Sequence, residues 1–240
     1  AYGNASGTNR ECSGAAEEYA SMVDKLDRQV GAIVDQVRKL GLDKRTIIIF
    51  SSDNGHELYY RTDKGRGRGP DCHGGVLDGT GELLDVFRGS RGRVGPNNAM
   101  ANLAGLKWTS HEGGIRVPLI ISWPGTLPHG KVCHSLVANY DHMASFADLA
   151  GIRMPEGKDA VSYMDILSGN SARQRDYVVV DHTVITGDGW KLTQKQNKPF
   201  LFHIGRDPEE RNNLAGTRKD QLEKLRAIYR KEVGSPRKDR

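Results

Sequence analysis

Thr46-Ile47-Ile48-Ile49-Phe50-Ser51-Ser52-Asp53-Asn54-Gly55 is the stretch that decides the fold class of this 240-residue chain. Its first half is a continuous apolar, mostly β-branched run. Such a run fits a strand buried on both faces, as in the interior of a parallel sheet. The second half turns polar at once. In open α/β sheets the binding crevice lies at the carboxyl ends of the strands. Asp53 and Asn54 therefore stand where ligands bind, and Gly55 permits a sharp turn behind them.

Working outward, the preceding segment places Tyr19, Met22, Val23, Leu26, Val30, Ile33, Val34, Val37 and Leu40 at the three-to-four-residue spacing of an amphipathic helix. Gly41 is placed to end it. Helix, short turn and buried strand form one half of an α/β repeat. Downstream, a long Gly-rich loop runs over 56–105, with a short element expected at Leu83–Phe87. A second apolar strand follows at Val117-Pro118-Leu119-Ile120-Ile121, closed by the turn Trp123-Pro124-Gly125. Leu136 to Leu149 reads as a helix ending at Gly151.

After about residue 170 the character changes. Short strands are expected at Tyr177–Val180, Trp190–Thr193 and Phe200–Ile204, forming a small antiparallel sheet. A last helix over Lys219–Glu232 carries Leu222, Leu225, Ile228 and Tyr229 on one face. The expected organisation is an α/β part over 1–170 and a small α+β subdomain over 171–240.

The bulk composition narrows the function classes. With 37% hydrophobic and 27% charged residues the chain has the makings of a packed core rather than a disordered segment. No apolar run is long enough for a membrane span, and no signal peptide opens the chain. A formal charge of +5 favours anionic partners such as phosphate or sulfated polymers. Nucleic acid is set aside, because no binding motif or aromatic-interleaved basic stretch accompanies the charge. Cys12, Cys72 and Cys133 form no CxxC pair, which excludes zinc-finger and thiol-redox readings and leaves the pairing of any disulfide open.

Two groups could do chemistry. Asp53 and Asn54 offer hard oxygen ligands, suited to calcium or magnesium; Asp-Asn-Gly is also ordinary turn chemistry. Lys107 precedes Trp108-Thr109-Ser110-His111-Glu112-Gly113-Gly114-Ile115-Arg116-Val117-Pro118, which leads into the second strand. A lysine there can reach the same sheet edge and bind an anionic oxygen as a point charge, and a lone loop lysine is otherwise simply solvated.

Thr46–Gly55, Lys107–Pro118, Trp123-Pro124-Gly125, Asp148-Leu149-Ala150-Gly151 and Asp207-Pro208-Glu209 with Asn213-Leu214-Ala215 occur in the order of a known pattern. Together they resemble the C-terminal half of type I formylglycine-dependent sulfatases, members of the alkaline phosphatase superfamily. The resemblance implies an α/β sandwich with a mostly parallel central sheet, followed by a small antiparallel subdomain. It assigns Asp53 and Asn54 to a calcium ion, with magnesium as the other hard cation, and Lys107 to the sulfate oxygens. His56 and His111 are expected to meet the substrate, and Arg116 to serve as a structural ion-pair residue. His73, His129 and His134 are expected in loops without a role.

The same resemblance implies a sulfuric ester hydrolase, on sulfated carbohydrate or an aryl sulfate, exported to where such polymers lie. Its nucleophile, a hydrated formylglycine from a C/S-x-P/A-x-R motif, has no match here. Cys12, Cys72 and Cys133 lack the motif, and Ser6-Gly7-Thr8-Asn9-Arg10 has Thr8 where Pro or Ala belongs. The expectation is a fragment, inactive alone, whose partner is the missing N-terminal half and whose interior strands lack neighbours. Two alternatives stand beside it: a phospho- or phosphonate-ester hydrolase of the same superfamily, and a non-catalytic module that binds sulfated glycans.

Overall fold

The computed structural model describes residues 10–55, 61–62, 65–66, 103–104, 109–169, 175–195 and 198–233. In chain order these form α1 (Arg10–Lys39), a 3₁₀ turn (Asp43–Arg45), β1 (Ile48–Ser51), β2 (Arg61–Thr62) and β3 (Gly65–Arg66). Next come α2 (Glu112–Ile115), β4 (Leu119–Ser122), α3 (Asp141–Leu149) and α4 (Met164–Leu167). The chain closes with β5 (Tyr177–Val180), β6 (Thr183–Thr186), β7 (Trp190–Lys195), β8 (Lys198–His203) and α5 (Lys219–Val233). It divides into two compact units, Ala1–Ile121 with Arg206–Asn213, and Ser122–Gly205 with Leu214–Arg240. The composition change near residue 170, where a boundary was expected, falls within the second of these units. Residues 206–213 return to the first unit, and the rest of the chain after β4 belongs to the second.

In the first unit, α1 ends as its sequence requires. Gly41 adopts φ +67°, its N–H donates to Arg38 O (2.9 Å), and Leu42 N–H donates to Val37 O (3.1 Å). These paired bonds are the Schellman C-cap, and a side chain at Gly41 would meet backbone strain rather than neighbours. β1 pairs with β4 in a two-stranded sheet, and β2 with β3 in a separate antiparallel pair. The expectation of strands buried on both faces is not met within this chain. All four residues of β1 are half-buried, and Ile120 of β4 is 61% exposed. The apolar stripe of α1 is likewise open, with Met22, Leu26, Ile33 and Leu40 exposed. The physical reason is simple: among the described residues, β1 and β4 have only each other as sheet neighbours.

In the second unit, β5, β6, β7 and β8 form an antiparallel meander in that order. α5 lies on it and closes a core of Val184, Leu192, Leu201, Ala215, Leu222, Leu225 and Tyr229. The expected face of the last helix is the buried one. β6 was not expected: the strand read from the sequence ends at Val180, and the next was placed at Trp190. β5 and β6 are joined by the two-residue turn Asp181-His182, with Asp181 at φ +50° and Val180 opposite Thr183. Aspartate tolerates that left-handed conformation, which two-residue hairpins demand.

The helix expected from Leu136 begins only at Asp141. The Asp141 carboxylate accepts N–H bonds from Ala138 (2.8 Å) and Val161 (2.9 Å), so residues before it wrap around it instead of coiling. Nearby, Tyr163 is 2% exposed and its hydroxyl lies 2.6 Å from His142 Nδ1. Burial, ahead of every other influence, raises the pKa values of Tyr140 and Tyr163 above the usual tyrosine value. A raised folded value means stability that is complete below about pH 10 and is lost as pH climbs through the folded values. Burial likewise raises Tyr229 on α5. An alkaline titration is therefore expected to show three late phenolate signals, those of Tyr140 and Tyr163 appearing together with loss of tertiary structure around α3. Early, reversible ionisation of every tyrosine would contradict it.

Candidate functional site

The site is built at the carboxyl end of β1. Ser52 Oγ donates to Asn54 O (2.9 Å) and Asn54 Nδ2 donates to Gly55 O (2.8 Å), which tie the turn to itself. With its amide nitrogen so engaged, Asn54 has Oδ1 as its remaining side-chain acceptor. Asp53 is exposed beside it. Two hard oxygens suit calcium, and they are an incomplete set. Among the described residues no group of three or more His, Cys, Asp or Glu side chains is arranged to hold a metal ion.

The turn is anchored by backbone. Gly55 N–H donates to Gly114 O at 2.9 Å, joining Asp53-Asn54-Gly55 to His111-Glu112-Gly113-Gly114-Ile115-Arg116. The approach is so close that a Cβ on Gly55 would lie 1.8 Å from Gly113 O. Gly113 N–H in turn donates to Ala104 O (2.5 Å), and Ala104 N–H to Pro208 O (3.3 Å). Three segments distant in sequence thus meet behind Asp53.

The third segment brings a residue that sequence reading passed over. Glu210 closes a turn begun by Asp207, with its N–H donating to Asp207 O (3.0 Å). The Asp207 carboxylate caps that turn by accepting from Arg211 N–H (3.1 Å) and Asn212 N–H (2.8 Å). Glu210 itself sits at φ +50°, a left-handed conformation that costs a non-glycine residue about 1 kcal/mol or more. Its buried carboxylate accepts the Glu112 N–H at Oε1 (2.7 Å), and its Oε2 lies 2.8 Å from His111 Nδ1. Neither periodicity nor motif spacing pointed to it. The available signal was an acidic side chain after Asp-Pro, too common to single out.

Of the expected residues, Asp53, Asn54 and His111 belong to this one unit and are linked through Gly55, Gly114 and α2. Arg116, 62% exposed, pairs at 3.8 Å with the buried Glu112. His129 and His134 lie exposed in a loop. Cys133 is a free, exposed thiol. His56, His73 and Lys107, the element at Leu83–Phe87, Cys12 and Cys72 lie outside the described residues or side chains.

Against this geometry the comparisons fall into place. Residues 2–152 match the sulfatase family model, and residues 107–238 match that of the N-sulphoglucosamine sulphohydrolase C-terminal region. The chain belongs to the sulfatase family. N-acetylgalactosamine-6-sulfatase of Sus scrofa is 25% identical over 248 residues, covering 88% of this chain and 41% of that protein. The chain thus spans well under half the length of this curated relative. A Bacteroides thetaiotaomicron structure from a study of glycosaminoglycan metabolism superposes with TM-score 0.63 at 23% identity, covering 86% of this chain and 42% of that one. The phosphonate monoester hydrolase of Agrobacterium radiobacter superposes at 0.57 with 18% identity, covering 91% and 42%. At such identities the structures establish the alkaline-phosphatase-like sulfatase fold and nothing finer. No described helix is long and apolar enough to cross a membrane.

Proposed function

We propose that this chain is the C-terminal part of a sulfuric ester hydrolase acting on sulfated carbohydrate. The observation that carries the reading is the bond from Gly55 N–H to Gly114 O, which locks the Asp53-Asn54 turn to the Glu-Gly-Gly motif at a strand end. The carbohydrate follows from the name of the relative, which acts on a sulfated amino sugar.

Asp53 and Asn54 Oδ1 would hold calcium, with magnesium as the other hard cation. Bound there, the ion would offset charge developing on sulfate oxygens as the S–O bond breaks. Lys107 would meet the same oxygens, and His56 and His111 the sugar. The formylglycine nucleophile would come from an N-terminal half, which would also cover the open faces of α1, β1 and β4. Export of the whole protein follows from the location of sulfated polymers outside cells.

Two measurements test this. In the complete protein, the Asp53→Ala/Asn54→Ala double variant is expected to abolish calcium binding followed by titration calorimetry. In the complete protein, Lys107→Ala should lower kcat on a sulfated N-acetylgalactosamine about 100-fold. Faster turnover of a phosphonate ester than a sulfate ester would favour the superfamily alternative. Glycan binding without turnover in the complete protein would favour the binding module.

A further inference from the structure

The interaction that the expected roles leave unexplained is the buried acid behind His111. The Glu210 side chain is wholly buried, whereas that of His111 is 22% exposed. A buried carboxylate is costly unless its oxygens are met by donors. Here Oε1 takes the Glu112 N–H, and Oε2 faces a ring nitrogen at hydrogen-bond distance. An ionised carboxylate only accepts, so with Glu210 in that form the contact places the proton on Nδ1. Strain at Glu210 and the Asp207 cap fix the carboxylate's direction, so the acid is set before any ligand arrives.

We propose that Glu210 is a positioning residue, holding the proton on His111 Nδ1 and so leaving Nε2 as the ring nitrogen that meets the sulfated sugar. The proposal rests on the sulfatase reading only for the identity of that ligand. His111 is placed for the role by its own backbone. Its carbonyl accepts the N–H of Gly114 (2.8 Å) and of Ile115 (3.1 Å), and Gly114 O holds Gly55 beside Asp53 and Asn54. One nitrogen is spent on the protein, and the partly open ring keeps the other for what binds at the strand end. In this arrangement the hydrogen bond made by one ring nitrogen dictates the state of the other.

Glu210→Gln discriminates sharply. The carboxamide oxygen can still accept the Glu112 N–H, but its NH₂ then faces Nδ1 and forces the proton to Nε2. Nitrogen-15 spectra of His111, assigned with His111→Asn, are expected to show a protonated, pyrrole-like Nδ1 in the 240-residue chain. Glu210→Gln should turn it pyridine-like without unfolding the chain. Adding N-acetylgalactosamine 6-sulfate should move the Nε2 signal, and the unsulfated sugar should move it far less. The same spectra apply to the complete protein, where Glu210→Gln should raise KM about tenfold and leave kcat within threefold.

A pyridine-like Nδ1 in the folded wild type overturns the proposal, as does a Glu210→Gln spectrum identical to wild type. An Nε2 signal indifferent to the sulfated sugar removes the substrate contact. Lack of sulfate-ester turnover in the complete protein, with Nδ1 protonated, strikes the sulfatase reading and leaves the role of Glu210 standing. A merely structural glutamate would lower stability in Glu210→Ala and leave the KM of the isosteric glutamine variant unchanged.

Discussion

Alanine in place of Gly55 is expected to lower the stability of the first unit by about 3 kcal/mol or more. The added Cβ would stand 1.8 Å from Gly113 O and 2.7 Å from both Gly113 C and Gly114 Cα. All three are backbone atoms, so no side chain can rotate aside. The chain must separate, and the bond from Gly55 N–H to Gly114 O must break with it. Space is the whole reason, since Gly55 is absent from the positive-φ residues. Urea unfolding should show the midpoint falling, and hydrogen exchange should show the Gly55 amide losing protection. Calcium affinity of the complete protein should fall in parallel, because Asp53 and Asn54 are carried on the same turn. A variant with an unchanged midpoint would mean that the two glycine segments do not meet this closely.

Asp141→Ala should cost about 3–5 kcal/mol, the range found when one partner of a buried ion pair is removed. Asp141 is 2% exposed and its Arg175 partner 10%. The carboxylate accepts from Arg175 Nε (3.2 Å) and its terminal guanidinium nitrogen, and from the N–H groups of Ala138 and Val161. Without it, a buried guanidinium is left with Asp159 O (2.7 Å) and the face of Tyr140, 4.9 Å to the ring centroid. Two backbone donors are stranded as well. Combining Asp141→Ala with Arg175→Met should recover part of the loss, because no unpaired charge then remains. If the double variant is as unstable as the sum of the singles, the pair contributes through packing rather than charge.

These two positions show what could and could not be read from residues alone. Gly55 was recognised as a turn glycine after a strand, which is correct as far as it goes. That it is crowded by Gly113 is a tertiary fact, since glycine–glycine contact leaves no side-chain signature in either segment. Asp141 looked like the first turn of a helix beginning near Leu136. Its ties to Ala138, Val161 and Arg175 shorten that helix, and helical periodicity carries no information about partners 20 and 34 residues away. α1 and α5 were legible because their apolar side chains recur at helical spacing; α5 buries the face its pattern marks, whereas the stripe of α1 is open in this chain. β6 was missed because the residues after Val180 read as a turn-rich segment, whereas only Asp181 and His182 turn and Thr183 already pairs with Val180.

By itself the sequence determined the local features of this protein: a strand ending in Asp-Asn-Gly, a Lys–Glu-Gly-Gly–Arg run, an antiparallel tail and a closing helix. Those features rest on interactions a few residues apart, where side-chain type and spacing dictate the outcome. Only the tertiary structure decided that Glu210, 99 residues beyond His111, is the acid behind its imidazole. It also decided that a backbone bond welds Gly55 to Gly114. Contacts of that range depend on where the chain returns after many turns, and each return is paid for by the whole fold rather than announced by the residues that make it.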